Sequence, residues 1–95
     1  MATKTIAFDA ARYIGSPDSQ AELLTDALET GDAGYIANAL GVIARARGMT
    51  EVARGAGVTR EALYKTLSQD GDPKLTTLLG VFKSLGFKLS AHRAS

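Results

Sequence analysis

Residues 50–67, TEVARGAGVTREALYKTL, hold two short helical patterns that meet at a turn set by geometry more than by hydrophobicity. Thr50 reads as a side-chain N-cap for a first helix running to about Ala56, its hydroxyl accepting one of the backbone N–H groups that a helix start leaves unpaired. Gly57 closes that helix, because a chain that turns sharply into a second helix needs a residue at positive φ, where glycine has no Cβ to clash. Val58 inserts as an apolar plug, Thr59 caps the second helix, and Leu63 and Leu67 follow at i, i+4 on one face. Ala53 is small enough to let that helix cross closely. Ala53, Gly57, Val58 and Leu63 together spell a helix-turn-helix.

Upstream, Asp32 caps a helix that continues through Arg47, with Ile36, Ala39, Leu40 and Ile43 at i, i+3, i+4, i+7, the strongest helical periodicity in the chain. Arg45 and Arg47 fall in its last turn, where cations complement the helix dipole or face a phosphate, and Gly48 ends it. Before it, Ser16 and Pro17 start a helix that runs to Thr30 and stops at Gly31. Its apolar stripe is Ala21, Leu24, Ala27 and Leu28, and Glu22, Asp26 and Glu29 lie on the other side. Nearer the N-terminus, KTIAF (residues 4–8) has strand character, and Asp9 can cap a brief helix, AARYI.

Downstream, SQDGDP (residues 68–73) is a turn cluster. Lys74 then opens a helix over residues 75–85 with Leu75, Leu78, Leu79 and Phe82 as its apolar face, and Gly86 terminates it. FKLSA (residues 87–91) alternates apolar and polar side chains and predicts a short strand whose partner is KTIAF, within the chain or across a dimer. The sum is one all-α domain over residues 1–95, five to six helices around a helix-turn-helix, with room for short terminal strands.

Composition narrows the function classes. The 95 residues, 45% hydrophobic, suit one small core. No cysteine is present, so disulfides and thiolate metal sites are excluded. No apolar run approaches the roughly 18 residues of a membrane span, and the N-terminus lacks the form of a signal peptide, so the expected location is cytoplasmic. The net charge of +1 hides a dipole: residues 1–43 hold two basic against six acidic residues, and residues 44–95 hold nine against four. A basic half that contains the helix-turn-helix suits a polyanion, and an acidic half suits a basic partner or simple solubility.

The early FDAA, the GD junction between helices and the block ALGVIARARGMTEVARGAGVTREALYKTLSQDGDPKLTTLLGVFKSLGFKL resemble the HigA-like addiction-module antidote family, over nearly the whole chain. The most telling pieces are ARARGMTEVA, TREALYKTLS and GDPKLTTLL. The resemblance implies a Cro/repressor-type helix-turn-helix of the lambda-repressor class. It also implies a homodimer that binds double-stranded operator DNA, represses its own operon and neutralises a toxin of the RelE/ParE-like fold. One departure concerns the broader repressor pattern: Thr66 stands where that pattern has a large apolar residue, so Leu67 must serve instead.

In a helix-turn-helix the second helix enters the major groove, which makes Thr59, Arg60, Glu61, Tyr64 and Lys65 the candidate contacts. Arg60 has the planar fork that meets guanine O6 and N7 together, whereas Lys65 suits a phosphate or a single base. Glu61 either accepts from cytosine N4 or orients Arg60 or Lys65, and Tyr64 either packs in the core or reaches the groove. Thr50 and Lys74, each at a helix start, are candidates for the DNA backbone on either side. The last helix, with Phe82, Leu85 and Phe87, is the leading dimer surface against a reading in which these residues fill the protomer core. RelE/ParE-like toxins are basic, so Glu22, Asp26 and Glu29 form a docking face by charge sign.

An autonomous Cro/repressor-type regulator with no toxin partner explains the helix-turn-helix equally well. Nothing in the sequence calls for a metal or cofactor, and an enzyme is not expected: the one histidine, His92, sits in the terminal stretch, and no phosphate-cradling glycine loop exists. Gly55 and Gly57 follow no strand and lack a third spaced glycine.

Overall fold

Local chemistry divides the described residues, 15–94 of the computed structural model, into five helices: α1 (Pro17–Thr30), α2 (Ala33–Arg47), α3 (Met49–Ala56), α4 (Arg60–Thr66) and α5 (Leu75–Leu85). The strand and the helix expected at residues 4–8 and 10–14 lie outside the described residues. Side chains hold three of the helix starts. Ser16 accepts from the Ser19 N–H at 3.1 Å, Asp32 from Tyr35 at 3.1 Å and Thr59 from Ala62 at 3.0 Å, each satisfying an orphan donor of the first turn.

The α3 start differs from expectation. Thr50 does not cap it: Gly48 is both the end of α2 and the start of α3, no side chain caps α3, and Thr50 is an exposed residue of its first turn. Buried Met49 explains the shift, since packing its side chain into the core draws the first turn back to within one residue of α2. Gly57 closes α3 as anticipated, at φ 74°. Its N–H donates to the Arg54 carbonyl at 3.2 Å and the Val58 N–H to Ala53 at 3.1 Å, the paired bonds of a left-handed helix end, with Val58 packed back on the core.

The same motif overturns the terminal strand. At the end of α5 the Gly86 N–H donates to Lys83 and the Phe87 N–H to Phe82 at 2.8 Å, and the Phe87 ring packs against the core. Residues 87–91 are not a strand: the apolar residue after the glycine seals a helix end, and the alternation that follows carries no ladder.

One core joins the helices. Leu24 of α1, Leu40 and Ile43 of α2, Val52 of α3, Leu63 of α4, Leu67, and Val81, Phe82 and Leu85 of α5 are buried together. Leu67 is fully buried while Thr66 turns its hydroxyl to the Ala62 carbonyl, so Leu67 does serve in place of Thr66. α5 is rotated from the expected face, with Leu75 67% and Leu79 47% exposed. Its inner stripe is Leu78, Val81, Phe82 and Leu85, a second i, i+3, i+4, i+7 set that overlaps the first. The crossing with α3 selects it. A Cβ on Gly80 would lie 2.9 Å from the Ala56 Cα, and one on Gly55 would lie 2.6 Å from the Ser84 Oγ, so the two helices meet nearly backbone to backbone. In α1 the stripe shifts likewise: Gln20 is buried beside Leu24 and Ala27, and Leu28 is exposed.

Candidate functional site

Residues 60, 61, 64 and 65 fall on one side of α4 by the helical repeat, and all four side chains are exposed. The opposite side holds Leu63, 0% exposed in the core, which fixes the rotation of the helix about its axis. Burial of one face therefore presents Arg60, Glu61, Tyr64 and Lys65 as one strip. Thr59 lies at the start of that helix, and its hydroxyl oxygen is engaged by the Ala62 N–H.

Arg60 and Tyr64 form a pair within the strip. The guanidinium carbon lies 5.2 Å from the ring centroid, and Nη2 donates a long hydrogen bond to the Tyr64 hydroxyl at 3.4 Å. Tyr64 is 38% exposed, which sets aside the core-packing reading for it. Among the described residues no carboxylate is within ion-pair range of Arg60 or Lys65, so Glu61 does not orient either one. Residues 60 and 64 are i, i+4 neighbours, which brings the ring to Arg60; Glu61 and Lys65 have the same spacing, yet their charged ends stay beyond ion-pair range.

The other cations behave differently. Arg54 of α3 pairs with Glu51 at 3.3 Å on an exposed surface. Arg47 is drawn into the structure: Nε donates to Gln20 Oε1 at 2.8 Å, Nη2 donates to the Leu85 carbonyl at 3.0 Å, and its guanidinium carbon lies 5.8 Å from the centroid of Phe87. It therefore clamps α1, α2 and the end of α5, a role that sequence reasoning missed; the signal was a lone polar residue, Gln20, inside the apolar stripe of α1. Arg45 in the same turn is exposed.

Thr50 and Lys74 are exposed in or at the first turns of α3 and α5, on elements other than the α4 strip. Lys74 takes the extended N-cap conformation without a side-chain cap bond. Glu22, Asp26 and Glu29 are exposed on α1 away from Leu24 and Ala27, and Glu22 and Asp26 border a shallow hollow with Ala21 and Thr25. Among the described residues no three His, Cys, Asp or Glu side chains gather closely enough to hold a metal, and no helix is long and apolar enough to cross a membrane.

A family model described as "Probable addiction module antidote protein" matches residues 4–93. A Haemophilus influenzae protein (strain ATCC 51907 / DSM 11121 / KW20 / Rd), carrying the name "Uncharacterized protein", is 38% identical over 87 residues, covering 92% of this chain and 90% of the relative. No solved structure matches the chain.

Proposed function

Because the chain belongs to the family of probable addiction module antidote proteins, we propose that it is the antitoxin of a type II toxin–antitoxin pair, of the HigA-like kind, and that it represses its own operon. In this reading α3 and α4 are a Cro/repressor-type helix-turn-helix, and a homodimer places two of them on successive half-sites of operator DNA. The observation that supports it best is the α4 strip, which leaves Arg60 and Lys65 exposed and, among the described residues, unpaired by carboxylates on a helix whose back is locked into the core.

Arg60 reads a guanine edge, and Lys65, Lys74 and Thr50 contact the phosphate backbone, which positions the protein without reading sequence. Thr59 acts through its backbone and cap more than through a base contact, because its hydroxyl oxygen already accepts the Ala62 N–H. Glu61 faces cytosine N4 or solvent. The acidic side of α1, with Glu22, Asp26 and Glu29, faces the basic surface of a RelE/ParE-like toxin by charge complementarity.

The test is a titration with the duplex upstream of the chain's own reading frame and a scrambled duplex at two salt concentrations. Arg60→Ala should cost about 1–3 kcal/mol on the operator and little on the scrambled duplex. Lys74→Ala should weaken both alike and flatten the salt dependence. Equal losses for both variants on both duplexes would contradict the assignment. For the toxin, pull-down with the product of the adjacent reading frame should weaken on charge reversal of Glu22, Asp26 and Glu29; unchanged capture would move that interface elsewhere.

A further inference from the structure

Arg47, Arg54 and Arg60 show three different uses of the same side chain. Arg47 gives donors to a buried amide oxygen and a backbone carbonyl. Arg54 directs one nitrogen, Nη1, at both oxygens of the Glu51 carboxylate. Arg60 rests on the face of Tyr64 and directs one long bond to the ring hydroxyl. A guanidinium has five N–H donors in one plane, so the third arrangement restrains that plane while leaving most donors and the full charge for an outside acceptor.

We infer that Tyr64 is a positioning residue for Arg60: it holds the guanidinium plane on the exposed side of α4 so that two coplanar donors meet the O6 and N7 of one guanine. The inference rests on the DNA-binding reading and adds to it a source of specificity that touches the base only through another residue. The arginine stem has several rotatable bonds, and a fork free to sample them must lose that freedom when it docks; stacking in the unbound protein removes part of this loss beforehand. The ring face provides the restraint, and the hydroxyl contributes only a bond at 3.4 Å, so Phe should replace Tyr with little change.

The experiment starts by selecting duplexes from a randomised pool with the wild-type protein. The discrimination ratio is then measured between a selected duplex and the same duplex with the contacted guanine pair replaced, for wild type, Arg60→Ala, Tyr64→Ala, Tyr64→Leu and Tyr64→Phe. Tyr64→Ala should lower the ratio about two- to five-fold, the range an exposed cation–π contact corresponds to, without changing affinity for the substituted duplex. Tyr64→Leu, which keeps bulk but has no ring face, should behave as Tyr64→Ala, and Tyr64→Phe should stay near wild type. In an Arg60→Ala background Tyr64→Ala should have no further effect on the ratio.

An unchanged ratio in Tyr64→Ala and Tyr64→Leu overturns the inference while leaving the DNA-binding reading intact. Equal weakening on both duplexes also overturns it, because Tyr64 would then contact the backbone or support the fold. Failure of the wild type to enrich any sequence removes both the inference and the DNA-binding reading beneath it.

Discussion

Replacing Arg47 by alanine should destabilise the fold far more than a surface arginine warrants. The change removes a donor at 2.8 Å from Gln20, a side chain only 2% exposed, and a second donor at 3.0 Å from the Leu85 carbonyl at the end of α5. Hydrogen bonds from a charged donor contribute about 1.5–3 kcal/mol each at full burial. Arg47 is partly in solvent, which reduces that figure, while its contact with the Phe87 ring adds about 0.5–1 kcal/mol.

A loss of about 2–4 kcal/mol is the expected sum, and for a domain of this size it lowers the melting temperature by on the order of 10–20 °C. Thermal and urea unfolding followed by circular dichroism measure it. Arg47→Lys, with a point charge in place of a fork, should fall between wild type and alanine. Gln20→Ala should cost less in the Arg47→Ala background than alone, because the two share one bond. Arg45→Ala is the control, within about 0.5 kcal/mol of wild type. The clamp is refuted if Arg47→Ala is equally mild; reduced duplex affinity at unchanged stability would assign the residue to a phosphate instead.

Gly41→Ala should destabilise by about 1–3 kcal/mol, since its Cβ would overlap the Leu67 carbonyl oxygen, a backbone atom with little freedom to retreat; the urea midpoint reports it. Thr59→Ala removes the bond from the Ala62 N–H and should cost about 1 kcal/mol, with Thr59→Ser recovering most of it. Leu75→Gln should leave stability within about 0.5 kcal/mol, whereas Leu85→Ala, from the buried side of the same helix, should cost about 2–5 kcal/mol.

Helix ends were the most legible part of the chain, because they depend on chemistry within a few residues. Ser16, Asp32, Thr59, Gly31, Gly57 and Gly86 all bound the helices that their types imply. Thr50 is the exception: its capping chemistry is sound, but burial of Met49 one residue earlier set the start of α3, and burial is not local information. The rotation of α5 failed for a related reason. Its apolar residues satisfy two overlapping stripes, and only the approach of Ala56 to Gly80, brought together by the tertiary fold, selects between them.

At the candidate site, the exposed strip followed from the i, i+4 placement of Leu63 and Leu67 in the core. Opposite charge made Glu61 the natural orienting partner of Arg60 or Lys65; for Arg60 a ring one turn away took that place. Arg47 looked like any cation in a last helical turn, and its clamp became visible only when Gln20 and Leu85, distant in sequence, stood beside it.

The small residues where α3 crosses α5 have a mechanical consequence. At Gly55 against Ser84 and Gly80 against Ala56, the crossing has two points of close approach where no long side chain stands between the helices as a cushion. α3 and α5 therefore tilt together. A load applied along the outer edge of α5, at Leu75 or Leu79, is transmitted to α3 without slack, and reaches the start of α4 only through the short turn at Gly57.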